Sequence, residues 1–294
     1  MDDGFFPELP RVPIGQWFSN VVDWIDDNLG FLLDLIGTII KFLVESIADG
    51  FNAVPAIILA LIFAALGGLA RNWLFGLTSL IGFLLIQSMR MWPAAMDTLA
   101  LVIVASAFAM LIAVPLGILA ARNESASKVT RPVMDLMQTM PAFVYLIPAL
   151  FFFSIGIVPG VVATIVFAMP PGVRLTELGI RQVDAEVVEA GHAFGASNVE
   201  ILRKIQIPLA MPTIMAGVNQ VIMLSLSMVV IAGMVGAGGL GAIVYEGVPR
   251  LQLGRGFEGG LAVVILAIFL DRVTGSLSDR SKVARAQQKA ASAS

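Results

Sequence analysis

Few residues in this chain are of a type that does bond chemistry. It has no cysteine and a single histidine, His192. Thiol nucleophiles, disulfides and thiolate metal sites are therefore excluded. His192 has no second ligand near it, so it reads as an exposed or interface residue, the alternative being a metal or pH-sensing role. The dipeptide Gly-Lys never occurs, so no phosphate loop of the form GxxxxGK(S/T) can be written. Between Pro212 and Tyr245 there is no Asp, Glu, Lys, Arg or His, and Asp97, Glu258 and Asp271 fall at the ends of apolar segments. Proton-driven carriers keep carboxylates or histidines inside the membrane as relays, and their scarcity counts against that mechanism. Sodium coupling through backbone carbonyls stays open. No catalytic residue and no metal ligand is expected. Energy for uphill transport would have to enter from outside the chain.

Polarity gathers instead in one interior stretch, Arg174 to Pro212. It reads as two short helices divided by Gly195-Ala196-Ser197. Val183, Val187, Val188 and Ala190 give the first an apolar side, and Ile201, Leu202, Ile205 and Ile207 do so for the second. Ser197 or Asn198 can cap the second helix, with Glu200 in its first turn. Pro208 and Pro212 are expected to punctuate the return to the membrane. A second group is Gln138, Thr139, Met140, Pro141, Phe143 and Tyr145. Pro141, with Pro148, interrupts backbone hydrogen bonding, while Phe143 and Tyr145 offer ring faces to a cation. This group lines a translocation path or is an ordinary proline-kinked packed helix. The methionines 134, 137, 140, 211, 215, 223, 228 and 234 either line the same path or fill uneven packing. Nine glycines between Gly236 and Gly260 make an outer loop or re-entrant turn that seals a gate, receives a partner or merely connects.

The elements that must position these residues are set by hydropathy. Of the 294 residues 58% are hydrophobic and 13% charged, with a mean hydropathy of +0.90. Soluble domains carry about 25% charged residues. The chain is thus an all-α polytopic membrane protein; a soluble enzyme or nucleic-acid-binding domain is excluded. Spans are predicted at about 53–70, 72–89, 97–121, 137–157, 159–173, 213–235 and 257–275, about seven in all, the fifth broken at Pro170-Pro171. Residues 1–52 hold nine acids and two bases, a net charge of −7 that leaves +4 for the rest. From Ile14 to Ile47 this region alternates as an amphipathic helix, interrupted near Asn28–Gly30. It lies on the membrane surface or packs on neighbouring helices. No basic region precedes an apolar one at the start, so no cleavable signal peptide is expected. The transmembrane domain proper would be 53–277, and 278–294 reads as a polar tail. Thirteen of eighteen Lys and Arg fall on one side if the N-terminus is outside and the C-terminus cytoplasmic.

The polar stretch carries a resemblance. Glu189-Ala190-Gly191, Gly195 six residues after the Glu, then Ile205, Ile207 and Pro208 resemble the EAA loop of ABC importer permeases. That pattern is EAA, three residues, G, nine residues, I-x-L-P; Gly191 replaces the second Ala and Ile207 the Leu. Phe194 lies within the same turn. Residues 135–171, 208–241 and 261–277 look like glycine betaine/proline importer permeases, a likeness spanning roughly residues 92–277. The resemblance implies an ABC type I importer permease fold with a cytoplasmic coupling loop at about 174–212. It implies no cofactor bound by this chain, with ATP and Mg held by two ABC ATPase subunits. It further implies a second permease copy (a homodimer), an extracytoplasmic substrate-binding protein, and a multi-pass location in a bacterial or archaeal inner membrane. Choline, carnitine and trimethylamine N-oxide carriers share much of this core, and an ion-coupled secondary transporter is the rival mechanism.

Overall fold

The computed structural model describes residues 12–279. Its first element, α1 (Ile14–Ala53), is one 40-residue helix, about 60 Å long at 1.5 Å per residue. The interruption expected near Asn28–Gly30 does not occur. The Asn28 side-chain amide donates to the Trp24 carbonyl at 2.7 Å, so its polarity is satisfied inside the helix. The second half of α1 buries Gly37, Ile40, Val44 and Ala48 against neighbouring helices introduced below. In the first half Trp17, Phe18, Trp24 and Phe31 stay exposed.

At Pro55 the chain bends by 105° into α2 (Ala56–Ala70). A hairpin then leads to α3 (Trp73–Ser88), capped by the Asn72 side chain, which accepts from the Phe75 N–H at 2.8 Å. Both helices are apolar all round but short. The spans expected at 53–70 and 72–89 are thus the second limb of a bent pair and a 16-residue helix, about 24 Å long.

Four helices are long and apolar enough to cross a membrane unaided: α4 (Trp92–Arg122), α7 (Ile157–Arg181), the continuous helix Asn198–Met234 and α12 (Leu253–Asp279). Counting each bent pair as one crossing gives six among the described residues, against the seven predicted. One discrepancy lies at 137–157, where no single span exists. Instead α5 (Glu124–Thr139) and α6 (Ala142–Phe153) meet at a 97° break across Met140-Pro141. Another is α7, expected to stop at 173 but helical through Pro170-Pro171 to Arg181. Both prolines are buried. Neighbouring helices hold the path that the missing N–H groups leave weak, as membrane helices permit. The region 174–212, read as a cytoplasmic loop, therefore starts as a continuation of α7.

α4, α7 and the helix after 198 form the centre. In lipid, helices gain little from apolar burial and associate through close packing of small residues. Here a Cβ on Gly117 of α4 would lie 2.7 Å from the Val173 carbonyl, and one on Gly172 of α7 would lie 2.9 Å from Ala113 Cβ. Gly179 faces Thr213 in the same way. α1 packs on α4, α6 and α7 beside this centre. Phe63, Phe83, Trp92 and Phe269 meet tilted or edge-on at centroid distances of 4.8–6.2 Å and join α2, α3, α4 and α12.

The glycine-rich segment is largely helical. α11 (Gly239–Gly247) packs against α10 (Ile207–Met234), α4 and α12. Its first turn is pinned by Thr98 Oγ1, which accepts the Leu240 N–H at 2.8 Å; both residues are buried. Residues 239–247 are therefore a packed helical turn. The polar tail expected at 278–294 lies, from 280 onward, outside the described residues, as does the chain start judged for a signal peptide.

Candidate functional site

The residues matched at 189–208 form one hairpin. α8 (Ala185–Ala193) starts at Asp184, whose carboxylate accepts the Glu186 N–H at 2.9 Å. It ends at a glycine turn. Gly195 has φ +81, its N–H reaches the His192 carbonyl at 2.9 Å, and the Ala196 N–H reaches the Gly191 carbonyl at 3.1 Å. This is the Schellman arrangement, in which a left-handed residue satisfies the last carbonyls of a helix. Ser197 then opens α9 (Asn198–Ile201) with a reciprocal cap. Its hydroxyl accepts the Glu200 N–H at 3.3 Å, and Glu200 Oε2 accepts the Ser197 N–H at 3.1 Å. Lys204 Nζ lies 3.0 Å from Glu200 Oε1.

The two limbs touch where Gly191 faces the second helix. A Cβ there would stand 2.8 Å from Ile205 Cδ1 and 3.3 Å from Ile201 Cγ1. Gly191 is thus a close-approach residue, and an added methyl would be met by the mobile tip of Ile205. The second limb does not end at Pro208. A π-helical turn over Leu202–Gln206 carries it into α10, with the Ile207 N–H bonded to the Leu202 carbonyl. Pro208 follows in the first turn of α10, and the helix also passes Pro212. Widening just before a proline relieves its clash with the preceding turn and keeps the helix continuous. Ile205, Ile207 and Pro208 are half-buried; Glu189, Ala190 and His192 are exposed. Phe194 is 92% exposed at the tip. A groove of about 480 Å³ flanks the hairpin, with Arg122, Glu189, His192 and Asn198 on its walls. The arrangement offers a partner a rigid knob with an aromatic tip.

The second group lies together at the α5–α6 break but does not share one surface. Gln138, Thr139, Pro141 and Phe143 are exposed, Met140 is half-buried, and Tyr145 is buried. The Tyr145 hydroxyl donates to the Met137 carbonyl at 2.5 Å, bracing the bend. Its ring meets Phe167 edge-on at 6.3 Å, leaving Phe143 as the open aromatic face. Among the methionines, Met134 and Met228 are core residues, while Met223 and Met234 are exposed.

One polar cluster was not anticipated as a unit. Glu177, a buried residue in α7, receives the Ser127 hydroxyl at 2.7 Å, Arg131 Nη2 at 3.0 Å and Arg181 Nε at 3.0 Å, all on Oε1. Arg174 pairs with Asp135 close by, and Arg181 also donates to the Ala120 carbonyl at 2.9 Å. The sequence signal is the spacing: Arg174, Glu177 and Arg181 recur at helical intervals, but their partners on α5 lie 39 to 50 residues away.

Residues 113–283 match the family of binding-protein-dependent transport system inner membrane components. The chain is 48% identical over 274 residues to the glycine betaine transport system permease protein OpuAB of Bacillus subtilis (strain 168), covering 93% of this chain and 97% of the relative. It is 46% identical to the glycine betaine/carnitine transport permease protein GbuB of Listeria monocytogenes serotype 1/2a (strain 10403S), covering 94% and 99%. Identity to the glycine betaine/proline betaine transport system permease protein ProW of Escherichia coli (strain K12) is 44%, covering 92% and 77%. In three dimensions the chain is similar to one from an inward-facing conformation of the MetNI methionine ABC transporter. The TM-score is 0.61 at 22% identity, covering 65% of this chain and 96% of that one, a likeness of fold alone.

Proposed function

The chain belongs to the family of binding-protein-dependent transport system inner membrane components, and from that membership we propose that it is the permease subunit of an ATP-driven importer for glycine betaine and related compatible solutes. The observation that carries this reading is 48% identity sustained along 97% of a glycine betaine permease. The hairpin at Glu189–Pro208 supplies the mechanical half of it. A capped, close-packed knob that runs without interruption into α10 suits the transmission of an external push into a central membrane helix.

In this reading the chain does no bond chemistry. Two ATPase subunits hold ATP and Mg, and their closure moves the hairpin; Glu189, Ala190, Gly191, Phe194 and Gly195 make the contact. Two copies of this permease, as a homodimer, form the path between them, with Gln138, Thr139, Met140, Pro141 and Phe143 near it and Tyr145 bracing the bend. A substrate-binding protein delivers the solute at the outer face. The hairpin and the C-terminal end of α12 are assigned to the cytoplasmic side, following the excess of basic residues there. Carnitine is the second solute to test, because one relative is named for it.

Reconstitution with a cognate ATPase and binding protein tests the assignment. Glycine betaine with its receptor should stimulate ATP hydrolysis, and the ATPase should co-purify with tagged permease. Failure of the ATPase to associate, or hydrolysis indifferent to every quaternary ammonium solute offered, contradicts it.

A further inference from the structure

The cluster around Glu177 is built from two matching faces. Ser127, Arg131 and Asp135 recur every fourth residue on α5, and Arg174, Glu177 and Arg181 recur at three and four on α7; both spacings place side chains on one helix face. Across the seam the partners are specific. Glu177 takes Ser127 and Arg131, and Asp135 takes Arg174. Glu177 holds the centre: its side chain is 6% exposed, and one oxygen gathers three donors from two helices.

Each helix leads somewhere. Beyond Arg181 only three residues separate α7 from α8, the first limb of the hairpin. Beyond Arg131 α5 continues for eight residues, about 12 Å, to the break at Met140-Pro141. A buried ion pair contributes little net stability compared with apolar packing, and fixing a register is its best-attested use. An apolar seam would let α5 slide on α7, whereas paired charges compel the two to move together.

The geometry points to Glu177 as a positioning residue that makes α5, and with it the α5–α6 break, follow the displacement of α7 and the hairpin. This rests on the importer reading above. When the ATPase subunits close, the hairpin carries the end of α7 with it. Glu177 and its partners pass that movement to α5, which reorients Gln138–Phe143. The cluster thus links the two groups of residues that sequence reasoning found separately.

The test uses the complete complex of permease, ATPase and solute-loaded receptor in proteoliposomes. Solute imported per ATP hydrolysed is measured for wild type, Glu177→Gln and Arg131→Gln. Arg131 is 62% exposed, so its replacement leaves the core intact. Weakening charge-assisted bonds at Glu177 should lower uptake about tenfold while hydrolysis stays within about twofold of wild type; Arg131→Gln should shift the ratio the same way by about threefold. A wild-type ratio in both variants overturns the inference, as does a parallel fall of uptake and hydrolysis in both. If Glu177→Gln fails to assemble, Arg131→Gln decides by the same ratio. Wild-type complex without ATP-dependent uptake would remove the importer reading itself; wild-type uptake with unaltered variants removes only the role of Glu177.

Discussion

Replacing Gly195 by valine isolates the turn of the hairpin from everything around it. No atom outside the immediate neighbours lies within 4 Å of a Cβ built there, so the cost is one of backbone conformation. At φ +81 an ordinary L-residue is disfavoured by about 1–2 kcal/mol, and a β-branched one by more. The alternative is to leave the left-handed region and give up the His192 and Gly191 carbonyl bonds, at about 1 kcal/mol each. Either route costs about 2–3 kcal/mol. Since 1.4 kcal/mol is tenfold, the docking-competent turn should become about 30- to 100-fold rarer. The membrane core is untouched, and the Ser197–Glu200 cap and the Gly191–Ile205 contact still hold each limb. The assay is recovery of ATPase on tagged permease in detergent, normalised to permease, with Gly195→Asn as control because asparagine tolerates this conformation. Valine should abolish recovery at subsaturating ATPase while asparagine retains most of it. ATPase recovery and uptake both at wild-type level in the valine variant would refute the coupling role of this turn.

Three further outcomes follow from the packing. Gly191→Val should push against Ile205 Cδ1, 2.8 Å from the new Cβ, at about 1–3 kcal/mol. ATPase recovery should fall, and Ile205→Ala in the same chain should restore part of it. Thr98→Val deprives the buried Leu240 N–H of its acceptor, which should destabilise the protein by about 1–3 kcal/mol; thermal unfolding in detergent should show a lower Tm with ATPase docking unchanged. Tyr145→Phe removes the brace to the Met137 carbonyl. It should cost about 1 kcal/mol, read as a small fall in Tm, again without effect on ATPase recovery.

The membrane class and the hairpin were legible because their signals are local. Gly195 six residues after Glu189, followed by a serine with a glutamate three residues on, specifies a Schellman turn and a capping box without help from the rest of the fold. Proline is a weaker guide, since its effect depends on what surrounds it. Pro170-Pro171 lie inside an unbroken helix gripped by neighbours, and Pro208 and Pro212 lie in a helix relaxed by a π turn. Pro141 does stand at a sharp break, as its missing N–H suggests, though one apolar window spans 137–157. α5 falls largely between the apolar windows, and its polar face finds partners only when α7 lies beside it. Glu177 illustrates the same point. Its helical spacing to Arg181 was present in the sequence, but Ser127 lies 50 residues away, and only the tertiary fold brings it near. Gly191, a departure from the pattern's alanine, is the site where two helices touch.

The most direct test of the account is uptake of radiolabelled glycine betaine into inside-loaded vesicles carrying this permease with its ATPase and binding protein, in the presence of ionophores. An ATP-driven importer should show uptake that requires ATP and the binding protein and that persists when ion gradients are collapsed. Uptake that vanishes with the gradients, or that proceeds without the ATPase, would contradict it and establish an ion-coupled carrier in its place.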